Sequence, residues 1–307
     1  MSRIAFIFPG QGAQYIGMGQ DFYENTEIGK KTFDEASRLL GFSMPDLCFQ
    51  ENDRLNITEY TQAAMVTASV AMMKVLEEKG VKPDVTAGLS LGEYAALVAA
   101  GVMSEQDAIT TVRQRGILMQ EAVPAGIGAM AAILALDNET IEKVVSGIED
   151  VWVANYNCPG QTVISGRKEA VALACEKLKE AGAKRALPLN VSGPFHSGML
   201  EEAGRKLGQV LEKVEVKTPV IPYVANVTAS YVTDAADVKP LLEKQVSSSV
   251  RWQQSMEAML ADGVDTFIEI GPGKTLTGFM KKINRGVKVL NIEKLEDIEK
   301  VLAALEE

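Results

Sequence analysis

The 307-residue chain has one histidine, His196. Metal sites built from several histidines are thereby excluded, and any step that needs an imidazole must use this one. Cysteine is scarce as well. Cys48, Cys158 and Cys175 are odd in number and form no C-x-x-C, which argues against both a disulfide framework and a zinc site. Positive charge is in deficit, with 31 Lys and Arg against 41 Asp and Glu and a formal net charge of −10. A nucleic-acid-binding surface wants a basic field, so none is expected. No run approaches the roughly 18 apolar residues of a membrane span. The opening MSRIAFIFPGQG sets one arginine before a short apolar run that Pro9-Gly10 cuts off, whereas a secretory leader needs a longer apolar stretch and a cleavage site. A protein off the membrane, working in the cytoplasm, is the expectation. Internal repeats and low-complexity segments are also lacking.

What remains is ordinary globular composition, 47% hydrophobic and 23% charged. It is enough chain for one large domain or two modest ones. Residues 3–8 read as a buried strand ended by Pro-Gly, and residues 85–89 as another. Residues 61–79 and 91–100 have helical character and stop at Gly80 and Gly101, while Ser104 suits the cap of a helix running to about 121. Strand alternating with helix predicts an α/β fold around a mostly parallel sheet. The middle of the chain has another rhythm. Strands are predicted at 129–136, 151–155, 161–165 and 185–190, with helices at 138–145 and 167–181. This β-α-β-β-α-β order is the ferredoxin-like pattern. It predicts a small domain at 126–192 inserted into a larger one made of 1–125 and 193–307. The larger fold resumes after about Ser192, with strands at 220–224 and 266–270 and helices at 248–260 and 275–283.

Gly88-Leu89-Ser90-Leu91-Gly92 fits G-x-S-x-G between a predicted strand and a predicted helix. A sharp strand-to-helix turn pushes such a serine into an exposed, strained position. The flanking glycines leave room for the turn, and the Leu91 N–H and helix N-terminus face a developing oxyanion. A chance match is the alternative. A serine hydroxyl needs a base at neutral pH, and His196 is the one imidazole available, in a loop at the exit of the small domain. A purely structural histidine is the competing reading. On a helix over 104–121, Arg115 shares a face with Ala108, Val112 and Met119, whereas Arg113 points about 100° away from Val112. A guanidinium on an apolar stripe needs an anion. That anion is either an internal Asp or Glu, or a substrate carboxylate held by two parallel hydrogen bonds. Two other glycine-rich loops fail their motifs. Gly10-Gln11-Gly12 has Tyr15 where a dinucleotide fingerprint needs glycine, and Gly271-Pro272-Gly273-Lys274-Thr275 has Ile268 where a phosphate loop needs it. Both read as tight loops at strand ends, where α/β proteins build their sites.

Taken together, Phe8-Pro9-Gly10-Gln11-Gly12, Gly88 through Tyr94, Arg115 through Gln120, Pro159-Gly160-Gln161, Phe195-His196 and Glu269 through Lys274 resemble the bacterial malonyl-CoA:acyl carrier protein transacylases in order and spacing. The resemblance covers nearly the whole chain. More distantly, the chain is similar to acyltransferase domains of polyketide and fatty-acid synthases. The resemblance implies a hydrolase-like α/β domain with a ferredoxin-like insertion. It implies Ser90 as the acylated nucleophile and His196 as general base, with no catalytic carboxylate. It implies an oxyanion hole from the N–H groups of Gln11 and Leu91, Arg115 as partner of the malonyl carboxylate, and the Gln245 backbone carbonyl as the group that orients the histidine. Leu89 departs from the histidine common before the nucleophile in that family, which leaves the packing behind Ser90 open. Phe195 and Leu91 resemble malonyl-selective members. Malonyl-CoA and an acyl carrier protein are the implied partners, with no cofactor, no metal and a monomeric state expected. An acidic carrier would need a local basic patch. Lys281, Lys282, Arg285 and Lys288 form one candidate, Lys184 and Arg185 another, and ordinary solvated lysines are the alternative. A serine esterase or thioesterase, which has no need of Arg115, and a non-catalytic carrier-binding module are the competing classes.

Overall fold

The computed structural model describes residues 2–191 and 193–306; the domain boundary predicted near Ser192 lies outside the described residues. The first part of the chain forms β1 (Ile4–Phe8), α1 (Gln20–Asn25), α2 (Glu27–Leu40), α3 (Met44–Phe49), α4 (Thr58–Glu78), β2 (Val85–Gly88), α5 (Gly92–Ala99) and α6 (Glu105–Glu121). The middle forms β3 (Gly128–Leu134), α7 (Asn138–Ser146), β4 (Val151–Cys158), β5 (Gln161–Arg167), α8 (Lys168–Glu180) and β6 (Arg185–Pro188). The last part adds α9 (Glu201–Leu211), β7 (Tyr223–Val224), β8 (Tyr231–Val232), α10 (Ala235–Gln245), α11 (Trp252–Ala261), β9 (Thr266–Ile270), α12 (Thr275–Ile283), β10 (Lys288–Ile292) and α13 (Glu296–Glu306).

Two sheets result. The larger has the order β10-β9-β1-β2-β7-β8 and is parallel except for the β7–β8 pair. Its central strands β1 and β2 are buried on both faces, as a sheet covered by helices on each side requires. Helix α4 lies at the centre of the core: every residue from 61 to 73 is buried, the mark of a helix with no solvent face. The smaller sheet has the order β4-β5-β3-β6, antiparallel throughout, with α7 and α8 packed on it over Ile133, Ile141, Ile164 and Leu178. An α/β fold with a mostly parallel sheet and a separate ferredoxin-like unit is therefore what the chain adopts. Ser104 caps α6 by accepting from the Asp107 N–H at 3.0 Å, as its position predicted.

Two predicted elements are corrected. The strand expected at 220–224 shrinks to Tyr223–Val224, because Pro222 cannot donate to a ladder and Val220 is 81% exposed. The helix expected at 248–260 begins at Trp252. Residues before it run extended against β4, where Val250 accepts from the Tyr156 N–H and donates to the Ala154 carbonyl. That bridge ties the small sheet to the larger unit. No helix among the described residues is long and apolar enough to cross a membrane.

Candidate active site

Ser90 sits at the carboxyl end of β2 with φ of 54°, a left-handed conformation unusual for a residue other than glycine. Such backbone persists only where the surroundings over-determine it. Here Asn226 does so from both sides, its Oδ1 accepting from the Ser90 N–H at 2.7 Å and its Nδ2 donating to the Gly88 carbonyl at 2.7 Å. The two flanking glycines are obligatory. A Cβ on Gly88 would collide with the Gly92 backbone, and one on Gly92 with the carbonyls of Phe8 and Pro9. The Leu89 side chain packs over Gly10 and lines the cleft. The N–H groups of Gln11 and Leu91 donate to no protein acceptor among the described residues.

His196 also has positive φ, 56°, and is 4% exposed. Its Nε2 lies 2.8 Å from Ser90 Oγ and its Nδ1 lies 2.9 Å from the Gln245 carbonyl. A carbonyl oxygen only accepts, so Nδ1 carries the proton. Nε2 is then the lone-pair nitrogen and the serine O–H donates to it. Burial, reinforced by the neighbouring Arg115 cation, holds the imidazole down at about 4. At neutral pH it is a neutral base, ready to take a proton.

Arg115 is 1% exposed and lies on the inner face of α6. Its Nη1 donates to Gln62 Oε1 on α4 at 2.7 Å, and its Nη2 donates to Ser90 Oγ and to Gln245 Oε1, each at 3.0 Å. Nε is buried without a partner. Of the two anions the sequence left open, the internal one makes no direct ion pair: among the described residues no carboxylate stands within ion-pair distance of Arg115, although Glu93 acts on it at longer range. Arg113 does pair internally, with Glu59 at 2.6 Å, and stacks on Tyr60. The predicted divergence of the two side chains is therefore seen.

Ser90, His196 and Gln62 open into a cleft of about 660 Å³ between the two sheets. Gln11, Ser90, Phe195 and His196 line its floor; Asn155, Asn157 and Gln161 of the small sheet line its far wall. Sequence reasoning missed Gln62, Asn226 and Glu93. The first two carry no local signal, since their roles depend on long-range packing. Glu93 did carry one: it is a lone carboxylate in the otherwise apolar first turns of α5, three residues after Ser90. No cluster of three or more His, Cys, Asp or Glu able to hold a metal occurs among the described residues.

A hydroxyl on a strand-turn-helix, bonded to a buried neutral imidazole and flanked by Gln11 and Leu91, whose N–H groups meet no protein acceptor among the described residues, is the arrangement expected of a serine acyltransferase or hydrolase. The chain belongs to the acyl transferase domain family, whose model matches residues 5–298. It is similar to the malonyl CoA-acyl carrier protein transacylase of Bacillus subtilis, 48% identical over all of this chain and 98% of that one. The Staphylococcus aureus protein of the same name is 44% identical over 97% of this chain and 98% of its own. Among solved structures, an acyl carrier protein S-malonyltransferase from Vibrio cholerae superposes with a TM-score of 0.95 at 44% identity, covering 98% of this chain and 100% of that chain. A malonyl-transacylase in complex with a type II polyketide acyl-carrier protein superposes with a TM-score of 0.96 at 42% identity, covering 99% of this chain and 100% of that one.

Proposed function

We propose that this chain transfers the malonyl group of malonyl-CoA to the phosphopantetheine thiol of an acyl carrier protein, in two half-reactions through a malonyl ester of Ser90. His196 Nε2 takes the Ser90 proton as Oγ attacks the thioester carbonyl. The N–H groups of Gln11 and Leu91 receive the oxyanion. The intermediate collapses, the C–S bond breaks, and His196 returns the proton to the departing CoA sulfur. The carrier's thiol then gives its proton to His196, attacks the ester, and releases Ser90 by the same steps in reverse. Gln245, through its carbonyl, keeps the imidazole in the working tautomer. The chemistry calls on side chains and backbone alone, so no cofactor is proposed.

The observation that carries this reading is the 3.0 Å contact between Arg115 Nη2 and Ser90 Oγ. A desolvated cation within reach of the acyl group on the serine suits an acyl chain that ends in a carboxylate. A buried guanidinium left unpaired rejects a neutral methyl. A plain esterase has no use for it. The test is the fate of the acyl group with and without acceptor. Enzyme mixed with malonyl-CoA alone should hold the ester, and added carrier protein should discharge it onto the carrier thiol. Rapid release of free malonate without acceptor would turn the assignment toward a thioesterase.

The proposed pathway is fatty-acid synthesis. A polyketide pathway is the second reading, favoured by the structural likeness to a transacylase seen with a polyketide carrier protein. The proposed state is a monomer in the cytoplasm. We also propose 126–192 as a domain inserted between 1–125 and 193–307; all four strands of the antiparallel sheet falling within 126–192 supports this. For carrier docking the α12 patch is preferred over Lys184 and Arg185. Lys282 Nζ donates to Gln161 at 3.3 Å at the cleft wall, and Phe279 of the same helix lines the cleft. Reversing the charges of Lys281, Lys282 and Arg285 together should raise KM for carrier protein severalfold; an unchanged KM rejects the patch.

A further inference from the structure

We infer that Glu93 is a positioning residue and the remote counterion of Arg115, acting through the side-chain amide of Gln245; this rests on the malonyl-transfer reading above. Glu93 is 1% exposed, on the first turn of α5. Its Oε2 accepts from Gln245 Nε2 at 2.7 Å and from the Asn226 N–H at 3.2 Å. At the other end of the same amide, Gln245 Oε1 accepts from Arg115 Nη2 at 3.0 Å. The orientation of this amide follows from chemistry. A guanidinium has no acceptor, so the Gln245 atom facing it must be oxygen, and the nitrogen then faces Glu93. An ionised carboxylate accepts only, so it locks the amide in this sense. A protonated one no longer carries the balancing charge, while the Ser90 carbonyl, which accepts from the same Nε2 at 3.0 Å, still orients the amide.

The arrangement answers a problem that Arg115 poses. A cation this deeply buried needs a negative charge to offset its desolvation. A carboxylate bonded to it directly would offset that cost but would compete with a substrate carboxylate for the same N–H groups. Placing the carboxylate one amide away balances the charge across the network while the guanidinium keeps neutral direct partners, Gln62, Ser90 and Gln245, which a substrate carboxylate can displace. The same Gln245 holds His196 through its backbone carbonyl and donates to Glu93 through its side-chain amide. Orientation of cation and base is thus fixed at one residue.

The groups facing Glu93 are Gln245 from α10, Asn226 after β7, Arg115 from α6, and the ring hydroxyls of Tyr94 on α5 and Tyr223 on β7. Burial raises the Glu93 carboxyl to about 7, with Gln245, Asn226 and Arg115 pulling it back down. Its negative charge is present above that pH and lost below it.

The test compares rates of Ser90 acylation by malonyl-CoA and acetyl-CoA. Glu93→Gln, which keeps shape and removes charge, should lower the malonyl-to-acetyl ratio roughly tenfold. In an Arg115→Met background the same change should add almost nothing, because both act on one interaction. In the wild type the ratio should climb between about pH 6 and 8 and be flat in Glu93→Gln. Should that variant fail to fold, the wild-type profile alone decides. A ratio unmoved by Glu93→Gln, effects that multiply with Arg115→Met, or a flat wild-type profile would overturn the inference while leaving malonyl transfer standing. Absence of any acyl-Ser90 in the wild type would instead remove the functional reading itself.

Discussion

His196→Ala lowers the rate of Ser90 acylation by malonyl-CoA roughly 10³-fold or more, with the fold retained. The size of the effect follows from geometry. The imidazole is 2.8 Å from the hydroxyl, its tautomer is fixed by the Gln245 carbonyl, and the chain has no second histidine to substitute. The pH dependence is the sharper part of the prediction. An ordinary histidine loses its base form on acidification through 6.5, but burial beside Arg115 holds His196 at about 4. A group whose folded pKa is depressed keeps its neutral form until that lower value is reached. Modification of Ser90 by a neutral sulfonyl fluoride should therefore persist through the mildly acidic range and fall only as the pH approaches 4. Stopped-flow or quench measurement of that reaction across pH decides the matter. An acid limb near 6.5, or a loss below tenfold in His196→Ala, would show that the base is elsewhere.

Arg115→Met removes the charge and keeps most of the volume. It should cut the malonyl acylation rate about 10³-fold, on the scale set by truncating one side of a buried charge pair, and leave acetyl acylation within about tenfold of the wild type. Two effects combine. The substrate carboxylate loses its partner, which weakens ground-state binding. The second effect reaches the base. In the free enzyme the Arg115 cation depresses His196, so a malonyl carboxylate that neutralises Arg115 lets His196 accept the serine proton more readily. An acetyl group brings no such relief. Both KM and kcat for malonyl-CoA should suffer. Equal losses on the two acyl groups would remove Arg115 from selectivity and leave it a structural arginine.

Much of this was legible in the chain, and what was hidden had a common cause. The G-x-S-x-G turn was readable because its pattern is compact, although only Gly88 is demanded by a collision within a few residues, with Gly92, while Gly92 is demanded by the distant carbonyls of Phe8 and Pro9. The ferredoxin-like unit was readable because its strands and helices alternate with clean periodicity. Arg115 stood out as a charge on an apolar face. By contrast, Asn226 and Gln62 owe their roles to contacts over 136 and 53 residues of separation, and nothing near either position marks it. Helix α10 was missed because Pro240 lies inside it. The helix at 248–260 was placed too early because Val250 belongs to a bridge with a strand almost a hundred residues upstream. Gln245 was found by resemblance for its carbonyl; its side chain, which joins Glu93 to Arg115, needed coordinates.

The most direct measurement is intact mass and peptide mapping after brief exposure to malonyl-CoA without carrier protein. The account predicts a gain of one malonyl group, carried as an ester on Ser90 and absent from Ser90→Ala. A labelled Ser90→Ala protein, or a wild type that turns over malonyl-CoA with no covalent adduct at that serine, would contradict it.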